Sequence, residues 1–296
     1  MKRWLSPLAF AWLACASPTW AASVSVVDDA GNTVTLPAPA HRIISLAPNI
    51  TDALFAAGAG PYIVGTTRYS EHPAEAKRIP IIGDATMLDL ERIVGLKPDI
   101  IVVWRSGTPA AQVDKLKHLR IPVFYAETTR LSDVSAATRR FGVLAGTSTV
   151  AERNAASFDA ALGTLRATYA GKASLKVFYQ IWDRPLMTIG RAQIVDDAIG
   201  VCGGVNIFAD INQAAPTVTR EAVLARNPDV ILGGGDGGEA LAGWKQASFL
   251  SAVKHDNVLA MDAPTLVLPS PAILAGVDTL CRTMEQARKR QAAASR

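Results

Sequence analysis

The chain has 296 residues, 49% hydrophobic and 19% charged, with a formal net charge of +4 at pH 7. That length holds two domains of ordinary size, and the apolar content supports a substantial core. The near-balanced charge argues against a nucleic-acid surface or a polybasic membrane patch.

Residues 1–22 read as a signal peptide. Lys2 and Arg3 form the charged region, Trp4 to Ala16 a short apolar stretch, and Thr19-Trp20-Ala21-Ala22 supplies small residues for cleavage. The stretch is too short to span a bilayer, and no later segment holds ~18 uninterrupted apolar residues, so no membrane insertion is expected. Cys15 follows Trp-Leu-Ala, a poor lipoprotein site. Two cysteines remain after export, Cys202 and Cys281, and an oxidising compartment favours their pairing. The alternative is two separate buried thiols.

Alternating valines around Asp-Asp-Ala-Gly-Asn predict a small hairpin after the leader. HRIISLAP is a buried strand ending near Pro48, and Asn49 or Thr51 can cap a helix that Gly58 stops. YIVGTT is the next strand, followed by the loop RYSEHP. Leu88 to Leu96 is a short helix with Asp89 as its cap. DIIVVW is apolar throughout, like a strand buried on both faces of a parallel sheet. The helix AAQVDKLKHLR and the strand IPVFYA complete an αβ unit over residues 23–130.

Residues 131–170 are predicted helical, with one break at Gly146-Thr147-Ser148. Thr149 to Glu152 has the form of a capping box. Val150, Ala155, Phe158, Leu162, Leu165 and Tyr169 then make one apolar face. The helix from Ala151 to Tyr169 would be about 28 Å long, a stiff connection. A second αβ unit fills 171–296: LKVFYQIW, a helix at 194–201, the Glu221 helix, DVILGGG, a helix from Trp244 to Val253, NVLAM, and a last helix Pro271–Arg290. The basic end ARKRQAAASR reads as a frayed, solvated tail.

The chain also repeats itself. DLERIVGLKPDIIV at 89–102 matches TREAVLARNPDVIL at 219–232, aligning Glu91 with Glu221, Pro98 with Pro228 and Asp99 with Asp229. NITDALFAAGAG at 49–60 lies on QIVDDAIGVCGG at 193–204, aligning Asp52 with Asp196. One unit present twice implies two similar lobes with a cleft between them. Ligand contacts are expected at the C-terminal ends of the parallel strands. Tyr69, Trp104 and Trp182 fall there, and Arg105, Arg184 and Arg191 lie near the same rim, where they could bond amides or carboxylates.

Catalytic signatures are missing. There is no GxSxG, no HExxH and no phosphate-binding glycine loop; GGGDGG at 233–238 lacks the GxGxxG spacing. The four histidines, His41, His72, His118 and His255, show no ligand spacing, and there is no CxxC, so no metal site is expected. Tyr69 and His72 in one loop are the types that can ligate haem iron.

RIISLAPN, DLERIVGLKPDIIVVWR, CGGVNIF and TREAVLARNPD resemble the periplasmic cobalamin-binding proteins of bacterial ABC importers. These belong to a wider group of helix-bridged binding proteins for cobalamin, haem and ferric siderophores. The match runs from about Arg42 to about Met284. The resemblance implies an α/β fold of two lobes with mainly parallel sheets, bridged by one long helix. It implies a monomer in the periplasm that performs no chemistry, uses no cofactor, and delivers a corrinoid to an ABC permease dimer with its ATPase subunits. Glu91 and Glu221 match the glutamates that dock onto the permease. Pro48, Tyr69 and Trp104 match positions beside the ligand. The chain departs from the pattern at Ala85 and Ala215, where the family has tryptophan, at Pro264 and Leu268, where it has aspartate and arginine, and near Met187, where it has phenylalanine. Trp182 stands where the family has a small residue and could substitute from across the cleft. Haem or a ferric siderophore is the alternative ligand, and a two-lobed chelatase-like enzyme the alternative activity.

Overall fold

A computed structural model describes residues 23–84, 86–234 and 238–294. The expected leader, Ala85 and residues 235–237 of GGGDGG lie outside the described residues. An antiparallel hairpin, β1 (Val24–Val27) and β2 (Thr33–Leu36), opens the chain. Its turn closes because the Asp28 carboxylate accepts the backbone N–H of Ala30 and of Asn32 at 2.9 and 2.7 Å.

The first lobe is built on β3 (Ile43–Ser45), β4 (Ile63–Thr66), β5 (Ile100–Trp104) and β6 (Val123–Ala126), all parallel and ordered β4-β3-β5-β6. Helices α1 (Pro48–Ala56), α2 (Leu90–Gly95) and α3 (Ala110–His118) connect them. β5 is buried from Ile100 to Val103, as its unbroken apolar run requires. Asp89 caps α2 by accepting the N–H of Arg92 at 2.9 Å. Neither Asn49 nor Thr51 caps α1; the N-cap is Ala47, and the Thr51 hydroxyl bonds inward instead.

Two helices link the lobes, α4 (Leu131–Ala145) and α5 (Ser148–Tyr169). Each contributes to both cores. Leu131 and Val134 of α4, with Phe158 and Leu162 of α5, pack among second-lobe residues such as Leu175 and Val195. Ala137, Phe141 and Leu144 of α4, with Ala151 of α5, pack among Ile43, Ile50 and Ile100 of the first lobe. The bridging helix α5 therefore has α4 alongside it. Gly146 ends α4 at φ 70°, a left-handed position that suits glycine. The predicted capping box at Thr149 does not form. α5 begins earlier, at Ser148, and Glu152 instead accepts from Arg139 of α4 at 2.8 and 3.1 Å.

The second lobe carries β7 (Leu175–Trp182), β8 (Met187–Thr188), β9 (Gly204–Asn206), β10 (Val230–Gly234) and β11 (Val258–Met261), with α6 (Ile194–Val201), α7 (Arg220–Arg226), α8 (Ser251–Lys254) and α9 (Ile273–Ala294). Four strands are parallel in the order β9-β7-β10-β11, and β8 pairs antiparallel with the end of β7. Counting the parallel strands along the chain, both lobes have the order 2-1-3-4, so the sequence repeat is a structural repeat. The first lobe is the longer between its second strand and its Glu-bearing helix, where 67–89 carries the RYSEHP loop.

Two expectations are corrected in this lobe. Residues 239–246 form a 3-10 turn and 251–254 a short helix, not one helix from Trp244 to Val253. Trp244 is buried and its indole N–H is committed to Gln180, so the segment bends to the core. The basic end is not frayed: α9 continues to Ala294, and Arg288 is only 8% exposed. Its guanidinium donates to the carbonyls of Ala173, Cys202 and Gly203 at 2.7, 2.5 and 3.0 Å, satisfying chain ends that the core would otherwise orphan. Cys202 at the end of α6 and Cys281 in α9 are joined in a buried disulfide.

Candidate functional site

In each lobe a pocket lies at the C-terminal ends of the parallel strands. In the first it has a volume of about 400 Å³ and is lined by Ala47 and Pro48 after β3, Thr67 to Tyr69 after β4, and Trp104 and Gly107 at the end of β5. Three strand ends converge there because β4, β3 and β5 are neighbours. Tyr69 has φ 66°, unusual for a bulky residue, and is 80% exposed. A buried hydroxyl chain anchors the loop beneath it. Ser45 bonds Thr51 at 2.8 Å, Thr51 bonds Thr66 at 2.7 Å, and Thr66 donates to Ser70 at 2.9 Å. His72 adds a 2.5 Å contact between its Nδ1 and the Asp52 carboxylate.

The second-lobe pocket is larger, about 560 Å³, and mostly apolar. Tyr179, Gln180 and Ile181 line it from β7, Met261 to Ala263 from the end of β11, and Gln193 from the start of α6. Gln180 is fixed at both ends, its Nε2 donating to the Ala240 carbonyl at 3.0 Å and its Oε1 accepting from Trp244 Nε1 at 2.7 Å. Burial pushes the Tyr179 phenol up from its usual pKa. Ala215 and Pro264, small or apolar where bulkier or charged groups were expected, lie in this wall.

The predicted residues do not all converge. Pro48, Tyr69 and Trp104 share the first pocket. Arg105 lies outside it, in a polar concavity with Asp29, Glu127 and Arg140, where it donates to the Asp29 carbonyl at 3.3 Å. Trp182 and Arg184 sit on the β7–β8 turn, lining neither pocket; Trp182 is 59% exposed, its Nε1 donating to the Arg184 carbonyl at 3.0 Å. Arg184 is paired with its neighbour Asp183 at 3.0 Å. Arg191 donates to the Ala209 carbonyl. Gln180, Gln193 and the 261–263 segment were not singled out from the sequence, although their places at strand ends carried the signal. Exposed Tyr69, Met87, Ile181, Trp182 and Val267 leave large apolar groups in or beside the strand-end regions. Among the described residues no cluster of three or more His, Cys, Asp or Glu could hold a metal, and no helix is long and apolar enough to cross a membrane.

Glu91 and Glu221 occupy equivalent places. Each is exposed in the first turn of a helix, behind a cap from Asp89 or from Thr219, whose Oγ1 accepts the N–H of Ala222 at 3.2 Å. Neither carboxylate has a hydrogen-bond or ion-pair partner among the described residues. Each helix precedes a central strand of its sheet and returns against it, so both glutamates sit at the strand ends' edge, the edge that holds the pockets.

The model of the periplasmic binding protein family matches residues 43–265, spanning both lobes and the bridge. The chain belongs to the periplasmic binding protein family. Among its relatives, the vitamin B12-binding protein of Vibrio cholerae is 32% identical over 256 residues, covering 86% of this chain and 92% of that one. The vitamin B12-binding protein of Salmonella paratyphi A is 35% identical over 247 residues, covering 83% and 91%. The crystal structure of the periplasmic vitamin B12 binding protein of Vibrio cholerae superposes with a TM-score of 0.77, covering 85% of this chain and 99% of that one at 32% identity. A periplasmic haem-binding protein from Roseiflexus shares the fold, with a TM-score of 0.71 at 24% identity over 84% and 99% of the two chains. A binding protein of this family has two lobes around a cleft, the arrangement built here by the repeated sheets.

Proposed function

We propose that this binding protein captures cobalamin or a related corrinoid in the periplasm, and hands it to an ABC permease dimer with its ATPase subunits. The observation that carries this reading is the pair of strand-end pockets, one aromatic and one apolar, in a chain 32–35% identical to vitamin B12-binding proteins over more than 80% of its length. A corrin is a large flat ring with a fringe of amides. Tyr69 and Trp104 offer aromatic faces to such a ring, and an aromatic side chain buries ~150–250 Å² when covered. Trp182 stands on the opposite lobe and closes over the outer face. Arg184 is exposed and would exchange its pairing with Asp183 for the fringe, whereas Arg105 serves the first lobe's own framework. The protein acts as a monomer and performs no chemistry; lobes of 23–130 and 171–296 rock about the 131–170 bridge. Glu91 and Glu221, unpartnered on one edge of a two-fold repeat, fit two arginines of a symmetric permease.

Purified protein mixed with cyanocobalamin and then desalted should keep the corrinoid's visible absorption. Colourless protein, together with a Soret band after the same treatment with haem, would assign the cleft to haem instead.

A further inference from the structure

Trp104 is clamped in place by groups that the ligand-binding reading leaves unused. Its indole N–H donates to Glu127 Oε1 at 3.1 Å. The same carboxylate holds the turn that follows the tryptophan, accepting from Ser106 Oγ at 3.0 Å and from the Ser106 backbone N–H at 2.9 Å. Gly107 folds back against the indole, so closely that a Cβ there would lie 1.9 Å from Trp104 Cε3. Glu127 is itself tethered: its backbone N–H donates to Asp29 Oδ2 at 2.8 Å, and the Asp29 carboxylate meets the Arg140 guanidinium of α4 at 2.7 and 2.8 Å. A tryptophan at a strand end could rotate freely about χ1 and χ2. This one has one edge bonded to a charged acceptor and ring atoms blocked by backbone.

We propose that Glu127 is a positioning residue for the ligand site. It presets the Trp104 ring plane before a ligand arrives, so that less rotamer freedom is lost when a flat ligand docks. Preorganisation of this kind raises affinity by lowering the ordering cost of binding rather than by adding a contact. The proposal rests on the reading of Trp104 as a ligand-facing aromatic. The hydrogen bond is charge-assisted, of the stronger class, and its partner chain reaches the bridge through Arg140.

The test has two arms on the full mature protein. In the ligand-free arm, the Trp104 indole N–H resonance is identified among three tryptophans, Trp104, Trp182 and Trp244, as the one missing from Trp104→Phe. Glu127→Ala should move that resonance upfield and speed its exchange with water. In the binding arm, cyanocobalamin is titrated into the wild type, Glu127→Ala, Glu127→Gln, Trp104→Phe and the Glu127→Ala/Trp104→Phe double variant. Glu127→Ala should weaken binding by up to about tenfold, the scale of ordering one side chain on binding. Glu127→Gln, which keeps an acceptor for the indole, should recover most of it. In the double variant the loss should add nothing to that of Trp104→Phe, because without an indole N–H there is nothing for Glu127 to hold. An unmoved resonance, or an equal loss in the Trp104→Phe background, overturns the proposal, the latter by showing that Glu127 only supports the 104–107 turn. If the wild type does not bind cyanocobalamin, the corrinoid reading fails, and the resonance alone still decides whether Glu127 sets the ring.

Discussion

Asp99 and Asp229 stand at equivalent points of the two lobes and grip the neighbouring strand in the same way. Each immediately precedes a central strand, β5 or β10. Asp99 Oδ2 accepts the backbone N–H of His41 and of Arg42 at 2.8 and 2.9 Å, and Asp229 Oδ2 accepts that of Lys176 at 2.9 Å. Their own N–H groups donate to the carbonyls of Arg42 and Lys176, each at 2.8 Å. Arg42 and Lys176 in turn reach the last carbonyls of α2 and α7. The Pro-Asp of the sequence repeat is thus a staple holding sheet to helix, made twice. Asp229, which also accepts from Ser251 Oγ at 2.9 Å, is the less exposed. Asp229→Ala should lower the unfolding free energy by about 1–3 kcal/mol, and Asp99→Ala by less. Urea unfolding followed by circular dichroism measures both; an unchanged midpoint for Asp229→Ala would remove the staple's role.

Local chemistry made much of this fold readable. IIVVW declares a buried parallel strand, Asp89 declares a helix start, and the Glu-Pro-Asp repeat declares two matched lobes. Trp104 ends β5 and Tyr69 follows β4 by three residues, which is why the sequence pointed to these two for the lining of the first pocket. What stayed hidden depends on groups that only folding brings together. Arg288 looked like a solvated tail residue until the ends of α6 and the 170–174 turn surrounded it. Glu127 is 23 residues from Trp104 and meets it only through the pairing of β5 with β6, which sets Trp104 opposite Ala126. Arg105 read as a rim cation, but strand alternation turns it away from Trp104 and toward Asp29.

The disulfide closes a loop of 79 residues between α6 and α9. Loop-closure entropy sets its contribution at about 4 kcal/mol as an upper value. The Cys202→Ser/Cys281→Ser double variant should unfold at a clearly lower temperature in calorimetry, with the second lobe losing cooperativity first. Equal melting of the variant and the wild type would show that the packing of α9 alone suffices.

Acid should weaken the fold through a few identifiable carboxylates. The hydrogen bond from Arg139 holds Glu152 below the usual carboxylate range, that from Arg226 does the same for Asp210, and the Thr86 hydroxyl for Asp84. A pKa depressed in the folded state means that the unfolded chain takes up its proton first as pH falls. The stabilisation is therefore complete above the ordinary range, near pH 4–4.5, and disappears as pH drops through the lower folded values. All three groups are exposed, so the effect is small and screened by salt. Glu152→Gln should show a shallower fall in melting temperature between pH 7 and pH 3 than the wild type. Parallel curves would contradict this assignment.

Docking should separate from ligand binding. Glu91→Ala/Glu221→Ala removes both unpartnered carboxylates while leaving Asp89 and Thr219 to cap their helices. Permease association in detergent should fall by at least tenfold, and ligand affinity should stay within twofold, since neither residue lines either of the two strand-end pockets. Pull-down of the permease at wild-type strength would assign docking to another surface.

A calorimetric titration of the purified protein with cyanocobalamin, cobinamide and haem reads directly which ligand the cleft takes. One corrinoid should bind per chain, more tightly than haem, and Tyr69→Ala and Trp182→Ala should each weaken it by about tenfold, the scale of losing one aromatic face. Tight haem binding with no heat from either corrinoid, or corrinoid binding indifferent to both substitutions, would contradict it.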